Sequence, residues 1–497
     1  MTASNSTEGP AKPDVETAII GAGFGGLCMA IALKKSGRRS FVILEKEADA
    51  GGTWLVNRYP GCACDVPSHL YSYSFELNSN WSRAYSPQPE IQAYVQRCVD
   101  KYDLAPHIRF NTELKQAQFD EAAGVWRLKT ANGDSLTART LVGALGFLNL
   151  PAIPEIPGRD SFEGTSFHSR YWNEDCDLTG KRVAVIGTGA SAIQFVPQIA
   201  PKVGTMTVFQ RTPPWVLPKP DRPVTGFEHW LFRHVPAVQR AIRGGIYWAL
   251  ECLAIPFIRR PKAMRMFERI GKWHMRRQVP DSTLREKLQP SYRLGCKRIL
   301  FSNDYYPSLT KPGVEVVTDA VTEITPTGIV TEDGRHHDVD VIIYGTGFKA
   351  TDPVPRGLIF GSGKRDIVDA WENGPEAYLG TAVSGFPNLF FIIGPNTGLG
   401  HSSMIFMIES QVAYIAEAVA SLQNAGARSL ELKPTVQQRY NEDIQKKLKK
   451  TVWLTGGCRS WYLHPSGKNV TLWPGFTWQF RRRTRRFSIS DYTVSSG

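Results

Sequence analysis

Cysteine is scarce and scattered in this sequence. There are eight in 497 residues: Cys28, Cys62, Cys64, Cys98, Cys176, Cys252, Cys296 and Cys458. None forms C-x-x-C, which excludes the redox dithiol of a disulfide reductase. No spacing makes a metal framework, so no metal is expected. The low density fits a reducing compartment. Long apolar runs are missing as well. The nearest to a bilayer-spanning length is GGIYWALECLAIPFI, 244–258, which is short and carries Glu251. The first fourteen residues are polar, without the apolar centre of a signal peptide. The expectation is a soluble, cytoplasmic protein with no transmembrane segment, with peripheral membrane contact left open.

Acid is in short supply. Asp and Glu number 46 against 59 Lys and Arg, a net charge of +13. Such a balance favours anionic partners: dinucleotides, nucleic acid or an acidic membrane surface. Part of the excess sits in RRRTRR, Arg481–Arg486, which reads as a solvated, mobile basic tail. No nucleic-acid-binding motif accompanies it, so no nucleic acid is expected.

Glycine is plentiful, with 44 residues, and two clusters stand in telling places. ETAIIGAGFGGLCMAIALKKSG, 16–37, reads as strand, tight turn and helix, with Gly37 as the helix C-cap. Gly21, Gly23 and Gly26 make G-x-G-x-x-G. There the backbone approaches a pyrophosphate at a helix N-terminus. The next strand, SFVILEK at 40–46, delivers Glu45, an acid placed to bind ribose hydroxyls. A second start, KRVAVIGTGASAIQFVPQIA at 181–200, carries Gly187, Gly189 and Ala192 as the variant G-x-G-x-x-A. After its next strand, TMTVFQR at 205–211, stand Arg211 and Thr212 instead of an acid. An arginine forks onto a 2′-phosphate that an acid would repel. One acid-tipped and one arginine-tipped fold point to FAD plus NADPH.

Between the two lies a β-rich stretch, 125–146, with a hairpin at Asn132-Gly133, followed by an extended proline-rich linker at 150–158. Residues 221–290 read as an inserted helical region. DVDVIIYGTGF, 338–348, is a buried strand ending in a glycine turn; 388–404 is strand, loop and the start of a helix. The fold class is α/β: two Rossmann-like dinucleotide-binding domains, for FAD and NADP, with an inserted helical region. The expected division is 1–150 FAD domain, first part; 151–220 linker and NADP domain, first part; 221–290 helical insertion; 291–340 NADP domain, second part; 341–497 FAD domain, second part, and basic tail.

FEGTSFHSRYWN, 162–173, holds Phe162, Gly164, His168 and Trp172 as F-x-G-x-x-x-H-x-x-x-W. GGTWLVNRYPGCACD, 51–65, fits G-G-x-W-x-x-x-x-Y-P-G-x-x-x-D through Gly52, Trp54, Tyr59, Pro60, Gly61 and Asp65. With these the chain resembles the class B flavoprotein monooxygenases and, within them, the Baeyer–Villiger monooxygenases. Asn173 stands where that family's fingerprint has Pro or Asp, and Gly345 replaces Ala in its A-T-G motif. CKRILFSNDYY, 296–306, resembles the segment bearing the family's active-site arginine, here Arg298. Trp461 in CRSWY, 458–462, matches a tryptophan near the nicotinamide.

The resemblance implies an enzyme that inserts one oxygen atom of O2 next to a ketone carbonyl, giving an ester or lactone through a C4a-peroxyflavin. It implies Arg298 and Asp65 as the catalytic pair. Gly52, Thr53, Trp54, Asp65, Tyr71, Ser191, Lys297 and Trp461 join the cofactor-binding residues, with Lys297 beside Arg211 and Thr212. The 162–173 segment would lie in the linker and couple domain movement to NADPH. N- or S-oxygenation, and an NADPH oxidase releasing peroxide, are the alternatives.

Overall fold

Gly21 and Gly187 each follow a short apolar strand with φ of +102° and +101°. A sheet is built around each turn. The computed structural model describes residues 12–496. The first eleven residues, most of the polar leader read above, lie outside the described residues.

In the eight-stranded sheet, Val15–Ile20 runs between Phe41–Leu44 and Ser135–Gly143, parallel to both. The helix Phe24–Lys35 closes on Gly37, φ +78°. The Gly37 N–H donates to Lys34 O at 3.0 Å and the Arg38 N–H to Leu33 O at 2.9 Å, the paired bonds of a left-handed glycine stop. The hairpin at Asn132-Gly133 joins Val125–Thr130 to Ser135–Gly143 as expected. Ile359–Phe360 and Leu389–Phe391 complete the sheet from far along the chain.

The second sheet has five strands, all parallel: Val314–Val317, Thr205–Phe209, Arg182–Ile186, Val341–Tyr344 and Thr165–His168. This moves two expected boundaries. Val341–Tyr344 was assigned to the returning FAD domain, yet it pairs with Arg182–Ile186; the return begins only at Ile359–Phe360. The strand is buried along its whole length, and Gly345 at its end meets Gly187. Likewise 162–173 is not simply linker, because Thr165–His168 forms the edge strand beside Val341–Tyr344.

In both sheets the glycine turn stands at the end of its strand beside a neighbour whose chain leaves for the other sheet, and a crevice opens there. The two turns are built alike. A Cβ on Gly21 would come within 2.8 Å of Ala144 O, and one on Gly187 within 2.6 Å of Gly345 O.

The 221–290 region is helical as read: Gly226–His234, Pro236–Ile258, Met264–Gln278 and Ser282–Lys287. Thr225 and Glu228 form a reciprocal capping box on the first. Two helices, Pro236–Ile258 and Met404–Asn424, are long and apolar enough to cross a membrane, where the sequence reading found no such run. Interspersed polar residues hid their length. Met404–Asn424 is a core helix, with Ile405, Ile408, Val412 and Ile415 buried against the Phe24–Lys35 helix.

The arginine run is solvated, with Arg482, Arg483, Arg485 and Arg486 exposed, but it is not a loose tail. Its first four residues end the helix Thr477–Thr484, whose Phe480 and Thr484, one turn apart, are fully buried. Arg481 lies 3.6 Å above the Phe406 ring and pairs with Glu409 at 3.1 Å. Arg483 does likewise, pairing with Asp443 at 3.6 Å and lying 5.8 Å from the Trp473 ring.

Candidate active site

The first crevice is lined by Gly21, Gly23, Glu45, Gly52, Thr53, Trp54 and Tyr71. Gly52, φ +56°, places its Cα against the first glycine turn, and a Cβ there would sit 3.0 Å from Gly23 Cα. Gly26 is held more tightly: its Cβ would fall 1.9 Å from Gly21 O. Glu45 is buried at the end of its strand and accepts the Ala22 N–H at 2.6 Å and the Glu47 N–H at 2.9 Å. Burial pushes its pKa up despite these donors. Trp54 Nε1 donates to Tyr71 Oη at 3.0 Å, fixing both rings in the wall.

The second crevice begins at Gly187 and Gly189. Ser191 caps the helix Ala192–Ile199 with no side-chain bond of its own to the turn. Thr188 Oγ1 donates to Thr212 O at 3.5 Å, the limit of a hydrogen bond. Lys297 is half-buried and held below the ordinary lysine range, first by burial and then by the positive charge of Arg211. The two positive charges repel each other, which favours an anion beside them.

Adjacent residues serve different crevices. Lys297 Nζ lies 5.1 Å from the Tyr292 ring, in the field of Arg211, whereas Arg298 turns to Asp65. Arg298 Nε and Nη2 donate to the same carboxylate oxygen, Oδ2, at 2.8 and 2.5 Å. The carboxylate raises the arginine's pKa further. The Arg298 side chain keeps 36% of its surface exposed, so the guanidinium is held yet open. It lines a pocket with Trp461, Tyr462 and Phe147. The Trp461 and Phe147 rings are stacked at 6.2 Å. Phe147, Pro353, Ile393 and Met404 line both this pocket and the first crevice, which makes the two continuous.

A family model of the pyridine nucleotide-disulphide oxidoreductases matches residues 18–225, the part holding both glycine turns. A Baeyer–Villiger monooxygenase of Pseudomonas aeruginosa is 52% identical over 97% of this chain and 92% of its own length. The chain belongs to the Baeyer–Villiger monooxygenases. Among solved structures, a closed cyclohexanone monooxygenase superposes with a TM-score of 0.88 at 28% identity, covering 98% of this chain and all of its own. A monooxygenase named OTEMO, complexed with FAD and NADP, gives 0.86 at 26% with the same coverage.

The fingerprint of this monooxygenase reaches both folds. His168 is buried. Its Nδ1 accepts the Arg170 N–H at 3.1 Å while Nε2 donates to Gly347 O at 3.0 Å. Those two bonds define the neutral ring, and burial lowers its pKa. Trp172 packs edge-on to Phe167 and tilted on Phe195. A Cβ on Gly164 would lie 2.4 Å from Asp340 O and 2.5 Å from the Phe162 ring, so the bend admits no side chain.

Three elements around the site escaped the sequence reading. Arg170, inside the fingerprint, is buried, lines the first crevice and pairs with Glu47 at 3.5 Å. Gln194 receives the Tyr59 hydroxyl at 3.0 Å and donates to Ala63 O at 3.0 Å, docking the 51–65 loop on the second fold. Gly61 fits beneath it, since a Cβ would meet Gln194 O at 2.7 Å. Finally, Cys296 and Cys458 form a disulfide between the segments bearing Arg298 and Trp461. The low cysteine density, which fits a reducing compartment, gave no sign of this pair, whose members are 162 residues apart. Cys62 and Cys64 are buried, free and pushed up in pKa by burial, Cys62 to about 12, as packing residues are.

Proposed function

We propose that this Baeyer–Villiger monooxygenase oxygenates a ketone at the pocket where Arg298 meets Trp461. The Arg298–Asp65 pair, held at one edge of a pocket continuous with the first crevice, is the observation that carries this reading.

The residues present fit FAD in the first crevice. The Gly23–Gly52 approach leaves a cradle that a single Cβ would fill. Among the described residues, the buried Nε of Arg170 has no hydrogen-bond partner, a donor free for an acceptor from outside the chain. Gly21, Gly23, Gly26 and Gly52 would hold the pyrophosphate region and Glu45 the ribose; Thr53, Trp54 and Tyr71 would border the rest. Gly187, Gly189 and Ser191 would hold NADPH, with Arg211, Thr212 and Lys297 on its 2′-phosphate. Reduced by NADPH, bound FAD supplies the oxygen activation.

Arg298 then acts on charge. Its guanidinium stays protonated at every working pH and retains exposed donors that Asp65 does not use. Those donors stabilise the negative charge that develops on the ketone oxygen, an interaction strengthened by the apolar walls around it. Asp65 positions the fork and balances it. Trp461 closes the pocket against Phe147 and would restrain the nicotinamide end of bound NADPH. The substrate class is a small-molecule ketone.

Arg298→Ala is expected to retain FAD and lose ester formation by at least about a hundredfold, with NADPH oxidation then yielding hydrogen peroxide. Ester formation at the wild-type rate would overturn the assignment. Asp65→Asn is expected to lower kcat while leaving the ketone KM nearly unchanged; an unaltered kcat would mean that Arg298 holds itself in place.

A further inference from the structure

The helix Pro236–Ile258 is inside out. Of its polar residues, Gln239, Arg243 and Glu251 face the protein, while Arg240 is exposed. Gln239 donates to Asn78 O at 2.6 Å, and Arg243 donates to His69 O at 2.8 Å and Ser72 O at 3.0 Å. Glu251 accepts from the Thr477 N–H at 2.9 Å and the Thr477 hydroxyl at 2.7 Å. The stripe facing outward is Ala241, Gly245, Trp248, Cys252 and Ile255, spaced three and four apart. Trp248 is 58% exposed.

The neighbouring helices expose further apolar residues. Phe227 and Trp230 stand exposed on Gly226–His234; Met266, Ile270 and Trp273 stand exposed on Met264–Gln278. The exposed charges of residues 226–278 all have one sign. Arg240, Arg259, Arg265, Arg269, Lys272 and Arg276 are exposed, while the three acids, Glu228, Glu251 and Glu268, are all turned at least partly inward. Each acid already has a partner within the chain: Arg222, Thr477 and Arg293 respectively.

We propose that this face docks on an anionic lipid bilayer. Exposed tryptophans set among arginines match the amphipathic interface of a membrane surface, and the uniform positive rim complements acidic headgroups. A second copy fits less well, because a two-fold contact would set the same cations against each other. The helix lies along the surface rather than across it. Gln239, Arg243 and Glu251 tie it to the body along its length, and a crossing would strip all three of their partners.

The FAD-loaded enzyme should co-sediment with vesicles of phosphatidylcholine and phosphatidylglycerol, and not with phosphatidylcholine alone. Binding should fall away as salt is raised several-fold above physiological strength. Trp248→Glu and the double reversal Arg269→Glu with Lys272→Glu should each weaken binding by on the order of tenfold. Both should oxidise NADPH with ketone at the wild-type rate in the absence of vesicles. Equal binding to both lipids, or wild-type binding by both variants, would overturn the proposal. So would sedimentation velocity showing a dimer that Trp248→Glu dissociates, which would assign the face to a second copy.

Discussion

Arg170 and Glu47 form an ion pair at 3.5 Å across the boundary between the two nucleotide folds. Arg170 belongs to the segment paired into the five-stranded sheet, and Glu47 follows a strand of the eight-stranded one. Two residues earlier, His168 is bonded to the Gly347 turn. The fingerprint thus grips one glycine turn with its imidazole and the other crevice with its guanidinium.

Arg170→Met should therefore weaken FAD retention by on the order of tenfold, the scale of a lost charge-assisted hydrogen bond. Titration of the apoprotein with FAD, followed by flavin fluorescence, measures it. Wild-type affinity would leave Arg170 as a packing residue only.

Arg211→Ala and Lys297→Ala should each raise the KM for NADPH by roughly tenfold to a hundredfold, while the KM for NADH stays as it was. The comparison of the two coenzymes is the control. If both rise together, the pair does not bind the 2′-phosphate.

Acid should destabilise the protein partly through His168. Burial lowers its pKa from the ordinary 6.5, so below that value the unfolded chain takes up a proton that the native state refuses. The neutral ring's contribution is complete above pH 6.5 and is lost as pH falls through the lowered value. His69 and His274 shift in the same direction. His168→Gln should thus show a smaller drop in Tm between about pH 7.5 and about pH 5.5 than the wild type. An equal drop would mean that the other histidines carry the whole effect.

Opening the Cys296–Cys458 bond should lower stability by up to roughly 5 kcal/mol, the entropic limit for a loop of this size. Urea unfolding of Cys458→Ser against the oxidised wild type tests this. Coincident midpoints would show that the cross-link constrains nothing.

The glycine turns, the hairpin and the helical insertion were legible because each is decided within a dozen residues. Gly21 needs φ > 0 and Gly37 ends a helix, whatever lies elsewhere. The exchange of Val341–Tyr344 between sheets was hidden, since a buried parallel strand reads the same in either. Arg170, Gln194 and the disulfide act over more than a hundred residues, and nothing in their local pattern names the partner. Ala144-Leu145-Gly146, whose first carbonyl lies against Gly21, went unremarked although the sequence held a signal for it. It stands after its strand as Gly345-Thr346-Gly347 stands after the other, and each meets a G-x-G turn. The arginine run misled because charge density outweighed Phe480 and Thr484, whose spacing marks a packed face.

The disulfide also sets a load path. Residues 296–458 form a closed covalent ring. Inside it lie Val314–Val317 and Val341–Tyr344 of one sheet and Ile359–Phe360 and Leu389–Phe391 of the other. A pull on the two ends of the chain passes through the sulfur atoms and bypasses these four strands. The backbone of two strands in each nucleotide fold thus carries none of the pulling force while the sulfur bridge holds.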